Sequence, residues 1–149
     1  MPLTGSERTV IVSAMAQPAV GRKLADVVNR ATDGVYSVSF SIGAEVANAI
    51  AVTITVRTVD SKALDNRVML DLLVVSNVTT MAYNAIDYTI AATTGTVQQL
   101  IADQVLRVVT DATGVAVVTF TFASTGTSFL VPVLPFGMFG TASSAITHT

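Results

Sequence analysis

The chain has 149 residues, a length typical of one domain, and it contains no cysteine, which excludes disulfides and thiolate metal sites. Its net charge of −2 at pH 7 argues against binding nucleic acid, because contacts with phosphates need an excess of Lys and Arg. No run of about eighteen apolar residues occurs, so the sequence predicts no membrane-spanning helix.

The low charge content is the most unusual feature of the composition. Only 12% of the residues are charged, 51% are hydrophobic, and the mean hydropathy is +0.64. Ordinary soluble domains contain about 25% charged residues. The stretch from Ala112 to Thr149 has no Asp, Glu, Lys or Arg at all. We therefore expect much of the surface to be covered by self-association or by docking to a partner.

Residues 1–34 are predicted to form an N-terminal arm followed by one short α-helix. The arm carries a short apolar stretch, Val10-Ile11-Val12. Pro18 suits the first turn of a helix, and apolar residues then recur every three or four positions, which predicts a helix over residues 18–31. Asp33-Gly34 is a turn signal that ends this segment.

From residue 35 to residue 149 the apolar period changes to two, which is typical of β-strands. Only Thr96–Ala102 offers a weak helical candidate between the strands. The segment Val68–Val75 is apolar on both faces, so we expect it to be buried on both sides. Many short strands separated by turn signals predict an antiparallel β-sandwich or barrel. The candidate strands are Val38–Ile42, Ile50–Val56, Val68–Val75, Ala85–Ala91, Val105–Thr110, Val115–Phe122, Ser128–Leu134 and Ala145–Thr147.

The predicted connections between strands contain glycine at positions that suit tight turns. The segment Thr110–Val115 joins two strong strand candidates and is predicted to close a hairpin. Gly114 is expected to adopt a positive φ there. Residues 93–96 and 124–127 have similar turn sequences, with Gly95 and Gly126.

Two groups of segments carry a resemblance to known families. The strands Ile50–Val56 and Arg67–Leu70, followed by the hairpin Val109–Ala116, are similar to invasin-type bacterial immunoglobulin-like domains. With Phe40–Glu45 and the ending Val133–Gly137, the pattern resembles modules of tailed-bacteriophage structural proteins. The resemblance covers about the C-terminal three-quarters of the chain, and it implies a mainly β, immunoglobulin-like sandwich over residues 35–149.

The resemblance implies a non-enzymatic virion protein, first of all a capsid decoration (cement) protein that binds and stabilises the capsid lattice. Its expected partners are the major capsid protein and further copies of itself, and we expect a trimer because capsid lattices offer three-fold positions. It would be made in the host bacterial cytoplasm and lie on the capsid surface. A phage tail, neck or fibre component, or a bacterial immunoglobulin-like adhesion module, remains the alternative.

No motif for catalysis, a cofactor or a metal is apparent in the sequence. His148 is the single histidine and stands next to the last residue, where we expect a frayed tail. Asp60, Asp65 and Asp71 lack the spacing of a calcium loop and are expected to be solvated loop carboxylates. Glu45 has no nearby carboxylate in the sequence to form an acid and base pair.

Two regions fall outside the immunoglobulin-like pattern and are therefore the predicted contact regions. The arm could add a strand to the edge of a partner's sheet. Large apolar residues around Gly137 could either fill the end of the sandwich or form an exposed docking patch. The predicted interface residues are Leu3, Val10, Ile11, Val12, Phe136, Met138 and Phe139.

Overall fold

The computed structural model of the chain describes residues 37–57, 64, 66–134 and 138–149. These residues form ten strands and no helix, and every strand pairs with its neighbours in antiparallel fashion. The predicted arm and the helix over residues 18–31 lie outside the described residues. The strands are β1 (Ser37–Val46), β2 (Ala49–Arg57), β3 (Met69–Asn77), β4 (Ala82–Tyr83), β5 (Tyr88–Thr94), β6 (Thr96–Ile101), β7 (Val105–Val109), β8 (Val115–Phe122), β9 (Gly126–Val133) and β10 (Ile146–His148).

The strands are arranged in two sheets, which confirms the prediction of a mainly β, antiparallel fold. The first sheet has four strands in the order β1-β2-β8-β5. The second sheet has six strands; five follow the order β10-β9-β3-β7-β6, and β4 pairs with β3. Alternating side chains of both sheets form one hydrophobic core, because successive residues of a strand point to opposite faces.

The core is built mainly from branched aliphatic residues of the central strands. In the first sheet, Ile54 and Phe120 have no exposed surface. In the second sheet, the same holds for Leu72, Leu106 and Leu130. Full burial of a side chain of this size stabilises a fold by about 1.5–3 kcal/mol relative to its exposure.

The residues predicted as a weak helix at Thr96–Ala102 form strand β6 instead. Val97 pairs with Val108 of β7, and its side chain packs against the core. Gly95, with φ of 74°, reverses the chain just before β6. The strand forms because backbone pairing with β7 and burial of Val97 outweigh the weak helical tendency of this segment. Strand β4 was not predicted either, and β5 begins at Tyr88 and not at Ala85.

Three of the predicted turns connect the two sheets. The turn with Gly95 joins β5 to β6, the turn with Gly114 joins β7 to β8, and residues 123–125 join β8 to β9. In each case the two strands belong to different sheets. The predicted hairpin between the strands at 105–110 and 115–122 is therefore wrong, although the chain does reverse there. Turn residues determine where a chain reverses, but the partner of each strand depends on segments distant in sequence.

Candidate interaction surface

The two sheets differ sharply on the sides that face away from the core. On the first sheet, the residues that alternate with core residues are mostly Ser, Thr and Ala, many of them exposed. Such small and hydroxyl-bearing side chains are ordinary for a solvated sheet face. They include Ser39, Ser41, Ala51, Thr53, Thr55, Thr89, Ala91, Thr119 and Thr121.

On the second sheet, the corresponding side is apolar, and we call it the outer apolar face. Its members alternate along the strands with core residues such as Leu70, Leu72 and Leu130. The strand register places them in rows across the sheet. The face consists of Met69, Leu73 and Val75 of β3, Tyr83 of β4, Ile101 of β6, Val105 and Val109 of β7, Phe129, Val131 and Val133 of β9, and Phe139, which pairs with Val133.

Exposure is greatest at the margins of the outer apolar face. The exposed fractions are 63% for Met69, 57% for Phe139 and 52% for Ile101. Val75 and Val131 are buried, and the remaining aliphatic members are partly buried. The expectation that Val68–Val75 is buried on both sides therefore holds at Val75 but not at Met69. Large apolar side chains exposed together on one face mark an interaction surface more often than single exposed residues do.

An ion pair lies at the centre of this face. Asp71 of β3 and Arg107 of β7 stand directly opposite each other. Arg107 donates from Nε to Oδ1 at 2.8 Å and from Nη2 to Oδ2 at 2.9 Å. The contact with Arg107 holds the pKa of the Asp71 carboxyl below its usual value, and the carboxylate raises the pKa of the guanidinium. The sequence predicted that Asp71 is a solvated loop carboxylate. This prediction is wrong, because Asp71 lies in a strand and is paired with Arg107. Asp60 and Asp65 lie outside the described residues.

Two of the predicted interface residues, Met138 and Phe139, lie at the margin of the outer apolar face, and Phe139 is one of its members. Met138 and Phe139 are 64% and 57% exposed, so neither side chain fills the end of the core. Their backbone is fixed: Leu134 N–H donates to the Met138 carbonyl at 2.7 Å, and Phe139 pairs with Val133. The other predicted interface residues, Leu3, Val10, Ile11, Val12 and Phe136, lie outside the described residues.

The predicted frayed tail at His148 is wrong, because β10 holds this residue in the fold. The imidazole is 2% exposed and stacks on Phe122 with ring centroids 3.7 Å apart. Its Nδ1 lies 2.6 Å from the Ser124 carbonyl oxygen, which can only accept, so Nδ1 carries the proton. Thr149 donates from its backbone N–H and its hydroxyl to the Glu45 carboxylate, at 3.1 and 3.0 Å.

These residues border a small cleft at one end of the two sheets. The cleft has a volume of about 160 Å³ and is lined by Glu45, Asn48, Phe122, Ala123, Ser124, Thr125, His148 and Thr149. The His148 imidazole and the Glu45 carboxylate, which line this cleft, both hold β10 in place by hydrogen bonds within the chain. Within the described residues, no group of three or more His, Asp or Glu side chains could hold a metal ion.

The sequence contained a partial signal for the outer apolar face. The apolar residues on both faces of β3 were visible, as was the charge-free stretch that contains β9. The alignment of β3, β7 and β9 into one face was not visible, because it depends on strand order.

Within the described part of the chain, no helix is long and apolar enough to cross a membrane. Comparison with protein-family models, curated proteins and solved structures finds no match for this chain.

Proposed function

We propose that this protein is a non-enzymatic structural component of a tailed-bacteriophage virion, namely a capsid decoration protein on the capsid surface. The observation that carries the proposal is the outer apolar face, on a chain with only 12% charged residues. Contact of the exposed Met69, Ile101 and Phe139 side chains with water is unfavourable, and their burial by a neighbouring protein is favourable. A protein that works inside an assembly has such a neighbour permanently.

The size of the face supports a role in assembly. Four neighbouring strands (β9, β3, β7 and β6) and the segment of Phe139 beside β9 lie about 4.8 Å apart, and seven residues rise about 3.4 Å each, which gives a patch of roughly 20 by 20 Å. A stable interface buries about 800 Å² of accessible surface on each partner. A flat patch of about 400 Å² therefore supplies a large part of one interface, at about 25 cal/mol for each Å² of apolar surface before the cost of association.

The polar residues of the end cleft support a structural role over a catalytic one. His148 directs its protonated Nδ1 to a backbone carbonyl, and the Glu45 carboxylate accepts hydrogen bonds from Thr149. A general base must have its lone pair within reach of a substrate proton. The second ring nitrogen of His148, Nε2, is buried and has no hydrogen-bond partner within the described residues.

We further propose that the two sheets are an immunoglobulin-like module and that Met138 and Phe139 contact the major capsid protein. Support for the module comes from the antiparallel sheets and from the sequence resemblance. Support for the contact comes from the exposure of both side chains at the margin of the outer apolar face. The arm residues Leu3 and Val10-Ile11-Val12 are proposed to extend this contact.

The test is binding to capsids purified from the corresponding phage after deletion of this gene. The wild-type chain is expected to bind stoichiometrically in a co-sedimentation assay. The double variant Met138→Ser with Phe139→Ser is expected to bind about tenfold or more weakly, since it removes two large apolar contacts. Its control is Val46→Ser with Val78→Ser, which changes two exposed valines elsewhere (72% and 41% exposed).

Circular dichroism and thermal melting of all chains establish that each variant is folded. Failure of the folded wild-type chain to bind the capsids contradicts the proposed function. Equal binding by the Met138 and Phe139 variant contradicts the proposed contact.

A further inference from the structure

The outer apolar face has a pattern that is complementary to itself. Across the β3–β7 pair, Met69 lies opposite Val109, Asp71 opposite Arg107, and Leu73 opposite Val105. The adjoining rows continue this pattern. Val75 lies opposite Tyr83 of β4, while Val131 and Ile101 flank the row of Leu73 and Val105. An exchange of the two sides of this face therefore replaces apolar residues by apolar residues in the row of Leu73 and Val105, and it replaces each charge by its opposite. In the row of the ion pair it also exchanges Val133, beside Asp71, with Gln98, beside Arg107.

We propose that two copies of the chain associate face to face through this surface, about a two-fold axis parallel to β3 and β7 and midway between them. This axis places Leu73 of one copy over Val105 of the second copy. It likewise places Asp71 over Arg107 of the second copy. The inference rests on the proposed function only in taking the outer apolar face as an interface, and it names a second copy as the partner there.

The charges select this axis over others. Each Asp71 meets the Arg107 of the second copy while it keeps its own bidentate partner, so four charges alternate in sign. An in-plane axis perpendicular to the strands through the same row would place Asp71 over Asp71 and Arg107 over Arg107. Opposed like charges cost several kcal/mol in an interface. Apolar burial drives the association, and the ion pairs determine its register.

The partial exposure of the ion pair agrees with this role. The side chains of Arg107 and Asp71 are 38% and 33% exposed, so both reach the surface of the face. They stand among apolar neighbours on the same strands, Met69, Leu73, Val105 and Val109. Met138 and Phe139 lie beyond β9, away from the β3–β7 rows, and stay available for the contact with the capsid.

The test uses two variants that give the face a single sign of charge. Asp71→Lys leaves two cations on the face, and Arg107→Glu leaves two anions. Each variant alone is expected to be a monomer at a concentration at which the wild-type chain has twice its 15.5 kDa mass by light scattering. Like-charge opposition should weaken pairing about a hundredfold or more. An equimolar mixture of the two is expected to regain the doubled mass, because every charge then faces its opposite.

Matched controls place the same charges on the other sheet, as Thr53→Lys and Thr119→Glu. Both control chains are expected to pair like the wild type. If a single-sign variant fails to fold, the double exchange Asp71→Arg with Arg107→Asp keeps the pair within each chain and is expected to dimerise. Any one of three results would overturn the pairing. These are a mixture that stays monomeric, single-sign variants that still dimerise, and a wild-type chain that forms trimers without dimers.

The result is independent of the capsid-binding test. A wild-type chain that is monomeric in solution but binds capsids overturns the pairing and leaves the proposed function standing. A chain that pairs as described but ignores capsids overturns the proposed function alone.

Discussion

Gly114 shows how backbone conformation dictates the identity of a single residue. Its φ is +75°, which confirms the positive value predicted from the turn sequence. A Cβ at this position would lie 3.0 Å from the Val56 carbonyl oxygen and 3.3 Å from Leu64 Cβ. The Gly114 carbonyl also accepts a hydrogen bond from Val56 N–H at 2.9 Å. Glycine is required here by conformation and by close approach of the backbone.

We predict that Gly114→Val destabilises the fold by about 2–4 kcal/mol, because a β-branched residue is strained at positive φ and would contact Val56 and Leu64. Urea denaturation followed by circular dichroism measures the loss. The control is Ala112→Val at an exposed position of the same turn, where a change below about 0.5 kcal/mol is expected. An unchanged midpoint for Gly114→Val would contradict the positive φ.

Side-chain partners were the least predictable property of individual residues. Asp71 was expected to be a solvated loop carboxylate and His148 to lie in a frayed tail. Instead, Asp71 accepts two hydrogen bonds from Arg107, and His148 stacks on Phe122. Arg107 is 36 residues from Asp71 along the chain, and Ser124, whose carbonyl oxygen accepts from His148, is 24 residues from His148. No local pattern reports on contacts over such separations, because they arise only when the sheets assemble.

At the scale of elements, β10 joins the end of the chain to both sheets. It pairs with β9 in the second sheet, and Ile146 is 1% exposed in the shared core. Thr149, directly after β10, bonds to Glu45 of β1 in the first sheet. This short strand therefore closes the core at the margin where β1 and β10 are the outermost strands.

We predict that Ile146→Ala costs about 2–4 kcal/mol of unfolding free energy, the loss expected for a large-to-small change in a packed core. Thr147→Ala is the matched control, since Thr147 is the exposed residue of the same strand. Its effect should stay below about 0.5 kcal/mol. Equal, small effects from both changes, measured by chemical denaturation, would indicate a frayed β10.

Strand β6 shows the limit of local propensity at this scale. Thr96–Ile101 lacks strict alternation of apolar residues, and a bulge interrupts its pairing with β7 between Gln99 and Ile101. The pairing itself stabilises the strand, because β7 supplies backbone hydrogen bonds and a neighbour for Val97. Strands with clean alternation, such as β2 and β8, were predicted within one or two residues of their observed bounds.

For the whole molecule, the strand order predicts where the fold opens first. β3 and β8 lie in the interior of their sheets, with β7 and β9 beside β3 and β2 and β5 beside β8. β1, β5, β6 and β10 are the edges of the two described sheets. Edge strands expose backbone groups and have fewer contacts, so they open at lower free energy than central strands.

We predict that amide hydrogens of β3 and β8 exchange slowest with solvent deuterium, and that those of β6 and β10 exchange far faster. Hydrogen exchange followed by mass spectrometry or NMR measures this directly. Amide hydrogens of β6 and β10 that exchange as slowly as those of β3 and β8 would contradict this strand order.

The sequence by itself determined the mainly β class, most of the long strands and the places where the chain reverses. These depend on local properties, namely a period of two along each strand and residues that tolerate positive φ, as at Gly95 and Gly114. Only the tertiary structure decided which strands are neighbours. The ion pair of Asp71 with Arg107, the burial of His148 and the outer apolar face all follow from that order. The physical reason is that a face of a sheet is assembled from strands far apart in the chain, so its character emerges only when their register is established.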